Sequence, residues 1–287
     1  MNSHSEAPGT DSPHRCSART SSIYASHRCR EAHHRNCGLL EVGPLSKGEA
    51  QGIELEQAVG CSGAADKLVD GVVFPEPTQR ALSDGAFSHV PTIIGSNKDE
   101  GALFVWGDSL LNIDASAYAA LLTTLAPQLV SDAALLAEYP AGDYSTPGWA
   151  LASLIGEANF NCPTRRTARA LAAANVNTFL YHFERAPGVG MGADLGAYHS
   201  SEVSYVFDVP LFGVTPLLAS ELPLAEVIRG YWGRFAASHD PNGNAAPTWP
   251  AYAAATDQHL VLDVDAVASG TGLRAAKCAF WDGVQTN

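Results

Sequence analysis

Nowhere in the 287 residues does an apolar stretch approach the ~20 residues that a helix needs to cross a bilayer, so no membrane span is expected. No apolar run follows Met1, so no secretory leader is expected, and the compartment stays open. Positive charge is scarce: 17 Lys and Arg face 30 Asp and Glu, a formal net charge of −13 and a pI near 5.1. That balance repels phosphate backbones and anionic lipid, which removes nucleic acid and membrane surfaces from the expected partners. Six cysteines are too few and too scattered for a disulfide-built scaffold, although one pair remains open. No internal repeat is found.

The shortage is uneven. Residues 1–37 contain no Leu, Val, Phe or Trp, yet hold five of the ten His, three of the six Cys, and five Arg without a Lys. Such a segment buries too little apolar surface to offset its ordering entropy. Cys16, Cys29, His33, His34 and Cys37 raise a zinc reading, but their spacing matches no closed ligand set. Residues 1–37 are therefore expected to be disordered, or to be a frame-shifted reading of codons that encode something else. Neither a metal nor a cofactor is expected.

From Gly38 onward the composition is that of a globular enzyme. GEAQGIELEQAVG (48–60) reads as a short helix, and residues 70–87 as a loop ending in a helical turn. VPTIIG (90–95) reads as a buried strand that Gly95 and Asn97 break. Helical patterns follow at 114–126, 131–139 and 149–174, the last interrupted at Cys162-Pro163. NTFLYHFERAPG (177–188) is a second strand, LAEVIRGYWGRFAASHDPNG (224–243) an amphipathic helix, QHLVLD (258–263) a third strand, and KCAFWDGV opens a last helix. Strands separated by long helical crossovers give an α/β fold with a mostly parallel sheet.

In open α/β sheets, chemistry gathers at the carboxyl ends of the strands. Glu100, in NKDEG, follows the first strand, and His199 sits in the loop after the second. An acid that orients a histidine and a histidine that moves protons are two members of a nucleophilic triad. His182 and His239 read as sheet packing and as a helix end, Trp232 and Phe235 as core, and Trp249 and Tyr252 as loop packing.

NKDEG, GAYHSSEVSYVF, YWGRFAASHDPNG and WPAY occur in the order seen in type B carboxylesterases, the cholinesterase-like branch of the α/β-hydrolases. The resemblance runs from Gly38 to near the C-terminus and implies the C-terminal portion of an α/β-hydrolase domain over 38–287, with the N-terminal strands missing and a long sheet edge unpaired. It implies that Glu100 is the triad acid, His199 the triad histidine, and Glu202 a supporting acid of the histidine loop. The family's histidine is usually followed by Gly, where this chain has Ser200. Gly101 is expected to give the backbone room to turn. The resemblance further pairs Cys162 with Cys278 in a disulfide and leaves Cys61 without its usual partner.

The implied activity is hydrolysis of a small-molecule carboxylic ester by a Ser-His-Glu relay. Yet no G-x-S-x-G elbow occurs in the sequence, GCSGA (60–64) being the nearest approach, and the glycine-rich H-G-G loop is absent as well. LLEVGPLSKGEA (39–50) resembles the segment just behind the elbow. The expectation is thus an inactive remnant of an esterase. The alternative is a cholinesterase-like adhesion or binding module, disfavoured because Glu100 and His199 persist.

Overall fold

A computed structural model of the chain describes Val69 and residues 75–107, 109–125, 130–210, 216–243 and 246–285, all within one unit. The expected helix at 48–60, the LLEVGP segment, Cys61 and the whole of residues 1–37 lie outside the described residues.

Four strands make one mixed sheet in the order β1-β2-β3-β4: Thr92–Asn97, Thr178–Phe183, Gln258–Leu262 and Val267–Thr271. β1 and β2 are parallel with Thr92 opposite Thr178 and Asn97 opposite Phe183, β3 is parallel to β2, and β4 returns antiparallel to β3. β2 and β3 each have a partner on both sides, and β2 is the most buried strand, with five of its six residues buried. β1 has no second partner strand among the described residues, and only Ser96 and Asn97 at its carboxyl end are buried.

Helices form close to the expected positions at 114–126, 131–139, 149–174 and 224–243, while those over 102–107, 192–195 and 203–207 form where none is expected. In chain order the helices are α1 (Thr78–Asp84), α2 (Ala102–Gly107), α3 (Ala115–Leu125), α4 (Asp132–Glu138), α5 (Pro147–Gly156) and α6 (Cys162–Ala173), then the short α7 (Gly192–Leu195) and α8 (Val203–Phe207), and finally α9 (Leu222–Ser238) and α10 (Ala275–Gln285). Ser131 and Thr146 cap α4 and α5 by accepting from the Ala134 and Trp149 N–H groups, as short hydroxyl side chains do at a helix start. α9 buries Leu224, Ala225, Ile228 and Tyr231, a spacing of one helical face. Trp232 and Phe235 flank that face, half-buried against the same cluster, in which Trp249 and the sheet residues Phe179, Phe183, Leu260 and Leu262 are buried. A second cluster, built by α2 to α5, packs Leu122, Tyr139, Leu151 and Ile155.

The helical pattern over 149–174 is interrupted slightly earlier than Cys162-Pro163. Between α5 and α6 lies a π-helical turn, Glu157–Asn161, and the helix runs through it without leaving right-handed backbone geometry. Pro163 explains the wider turn, since in a regular helix its ring would press on the carbonyl of Asn159 and it offers no N–H. Cys162 and Cys278 are joined by a disulfide across a separation of 116 residues, tying α10 to the start of α6. No described helix is long and apolar enough to cross a membrane.

Candidate active site

Two loops meet at the carboxyl ends of β1 and β2. One is 97–101, the other 196–202, and two hydrogen bonds tie them: the Asp99 N–H donates to Ala197 O (3.0 Å), and the Ala197 N–H donates to the Asp99 carboxylate (2.9 Å). Gly196, at φ 67°, passes so close to Asp99 that a Cβ there would overlap its carboxylate.

Asn97 is the clamp. It ends β1 fully buried, and its side-chain amide donates to Tyr198 O (2.9 Å) and to Glu202 Oε2 (2.5 Å). Its backbone N–H donates to Glu100 Oε1 at 2.7 Å. From the sequence Asn97 reads only as a strand breaker; the signal that marks it is its place at the end of an apolar strand and three residues ahead of the acid.

Glu100 is 5% exposed and His199 about half-buried, with Glu100 Oε2 2.7 Å from His199 Nδ1. A carboxylate only accepts, so Nδ1 carries the proton and, in the neutral ring, Nε2 holds the lone pair. Nε2 makes no hydrogen bond among the described residues. The bond to Glu100 raises the His199 pKa above the ordinary histidine value, burial opposing it and the charges of Glu100 and Glu202 adding to it. Burial raises Glu202 above the usual carboxyl range, against which the Asn97 amide works.

Two aromatic rings face the imidazole. Phe160, from the π-turn, lies 4.7 Å from it between centroids, and Phe104, from α2, lies 5.4 Å away; the two phenyl rings stack on each other at 5.5 Å. Neither carries a motif that would single it out in the sequence. The π-turn is itself anchored. The Ser96 hydroxyl donates to Asn161 Oδ1 (2.6 Å), and buried Glu157 accepts from the Tyr139 hydroxyl (2.7 Å), which accepts from Trp281 Nε1 (2.6 Å).

Two expectations change in their physical reason. Gly101 does not supply a special turn, since its φ is not positive; a Cβ there would overlap the Ala152 carbonyl oxygen and fall 2.8 Å from Gly156 N. It is glycine because the last turns of α5 press against the acid loop. Ser200, at φ 69°, occupies left-handed backbone, which explains why a glycine suits the position after the histidine. His182 is buried in the sheet with Nδ1 3.1 Å from Ser96 O, and burial first, then Arg274 and His259, lowers its pKa to about 3. Among the described residues no group of His, Cys, Asp or Glu could hold a metal ion. The cysteines and histidines of residues 1–37 lie outside them.

The model of the carboxylesterase family matches residues 49–281. Acetylcholinesterase from Bungarus fasciatus is 28% identical over 231 residues, covering 75% of this chain and 38% of the relative. Acetylcholinesterase from Leptinotarsa decemlineata is 25% identical over 272 residues, covering 86% of this chain and 43% of the relative. Carboxylesterase 1C from Mus musculus is 26% identical over 234 residues, covering 75% and 41%. The chain thus spans about two-fifths of the length of the curated relatives it matches. With a family match over most of its length and an α/β sheet flanked by helices, the chain belongs to the carboxylesterase family.

Proposed function

We propose that this chain carries the histidine–glutamate half of a Ser-His-Glu relay for hydrolysis of carboxylic esters. The observation that carries the reading is the 2.7 Å bond from His199 Nδ1–H to Glu100, which leaves the Nε2 lone pair without a partner among the described residues. In the relay, Nε2 removes the proton from an attacking serine hydroxyl and returns it to the leaving alcohol. Glu100 fixes the tautomer and stabilises the imidazolium formed between those steps. Glu202 holds Asn97, and Asn97 holds both Glu100 and the histidine loop, so Glu202 acts through position. The raised His199 pKa displaces the acid limb of hydrolysis above the ordinary histidine range, because only the neutral ring is a base.

These 287 residues contain no G-x-S-x-G, so no nucleophile elbow within them completes the relay. Losing the nucleophile removes nearly all triad chemistry. Two assays check the reading together. The purified chain should hydrolyse short nitrophenyl esters no faster than a heat-killed control, and a fluorophosphonate probe should leave its mass unchanged. A stoichiometric adduct on any serine would mean that the chain has its own nucleophile, and this half-relay reading would fail.

A further inference from the structure

A cavity of about 250 Å³ opens where β2, β3 and β4 approach the start of α10, and none of its lining groups takes part in the relay. It is several times the roughly 30 Å³ that one water occupies. Lys98, His182, Glu184, His259, Thr271 and the turn 272–274 line it. His182 and His259 are both buried, on β2 and β3, with their rings 6.2 Å apart between centroids.

Two parts of this lining ask for opposite partners. His182 Nδ1 lies 3.1 Å from Ser96 O. A carbonyl oxygen only accepts, so Nδ1 carries the proton and Nε2 holds a lone pair. That lone pair lies 3.9 Å from the Glu184 carboxylate, which is a second acceptor, and no hydrogen bond joins the two. Burial first, then Arg274 and His259, holds the His182 pKa at about 3, so the ring does not become a donor near neutral pH. Two facing acceptors are satisfied by a donor placed between them. The other part of the lining is cationic. The exposed Lys98 ammonium makes no ion pair among the described residues. Arg274 donates to Lys98 O (3.0 Å) and lies 3.7 Å from Glu157 Oε1. The turn that Arg274 ends leads straight into α10, and the start of a helix favours negative charge.

We propose that this cavity binds the hydrogen phosphate ion, with its oxygens held by Lys98 and the start of α10 and its proton donated to Glu184 and His182 Nε2. A tetrahedral oxyanion that keeps one O–H meets both demands at once. Sulfate has the same shape and no proton, so its oxygens would face the Glu184 carboxylate with nothing between. Ammonium or a metal cation would suit the acceptor pair and be repelled by Lys98. The inference does not depend on the relay, because neither Glu100 nor His199 lines the cavity.

The test is calorimetric titration of the full chain, near neutral pH and at constant ionic strength, with inorganic phosphate and separately with sulfate. Phosphate should bind saturably, one ion per chain, and sulfate at least about tenfold more weakly, as an acceptor left without its donor requires. Lys98→Met should weaken phosphate about tenfold through loss of a charge-assisted bond. Glu184→Gln supplies an N–H donor of its own, so the preference should vanish and sulfate should bind about as well as phosphate. Glu184→Ala, which removes the acceptor altogether, decides the same point if Glu184→Gln does not unfold cooperatively. Equal affinity for the two ions in the unmodified chain, or phosphate binding that neither Lys98→Met nor the Glu184 variants change, would mean an adventitious ion only. Absence of saturable phosphate binding would overturn the proposal outright.

Discussion

Ser200 sits where the histidine loop must turn through left-handed backbone, at φ 69°. An L side chain there costs about 1–2 kcal/mol, and glycine returns roughly half of that as unfolded-chain entropy. Ser200→Gly should therefore stabilise the chain by about 0.5–1 kcal/mol, seen as a rise of about 1–3 °C in the melting temperature. An unchanged or lower Tm would mean that the serine hydroxyl compensates for its backbone. His199 gives a second expectation at this scale. Its folded pKa is raised, so the protonated ring stabilises the fold fully below about pH 6.5, and that contribution fades as pH rises through the folded value. Denaturation midpoints of the unmodified chain and of Glu100→Gln should accordingly lie further apart on the acid side of the His199 titration than on its alkaline side. A gap that widened with pH would contradict the direction of the shift.

Among the elements, the acid loop, the π-turn and α10 form one braced unit. Gly101 lies against the Ala152 carbonyl, so Gly101→Ala must push α5 and the acid loop apart. A loss of about 1–3 kcal/mol is expected from denaturant unfolding, the usual cost of overpacking. The Cys162–Cys278 bond closes a loop of more than a hundred residues, where chain entropy alone assigns about 4–5 kcal/mol. Cys162→Ala with Cys278→Ala should lower the unfolding free energy by about 2–5 kcal/mol, and a loss near zero would show that the bond is not formed in solution. How far these elements could be read from the residues alone depends on how local their cause is. β1 and β2 announce themselves through Ile93, Ile94, Phe179 and Leu180; Glu100 follows directly behind β1, and His199 lies in the long connection after β2. β4 is not legible in the sequence, because Val267–Thr271 carries no buried apolar alternation; the strand is held by pairing to β3. The π-turn left only Pro163 as a trace, since its other causes, Ser96, Tyr139 and Cys278, are distant in the chain. Gly101 is legible as a position that needs to lack a Cβ, but the group that crowds it, Ala152, is fifty-odd residues away.

Over the whole molecule, two apolar clusters carry the site. One packs the sheet against α9 around Trp249, the other packs α2 to α5, and Asn97, Glu100, Phe104 and Phe160 issue from elements that these clusters hold. The account stands or falls on whether that scaffold delivers His199 to Glu100 as an oriented base. A pH titration of 15N-labelled His199 in the unmodified chain measures this directly. The neutral ring should carry its proton on Nδ1 and leave Nε2 bare, it should titrate above the ordinary histidine value of about 6.5, and Glu100→Gln should bring that value down. A ring that carries its proton on Nε2, or one that titrates at or below the ordinary value and ignores Glu100→Gln, would contradict the account.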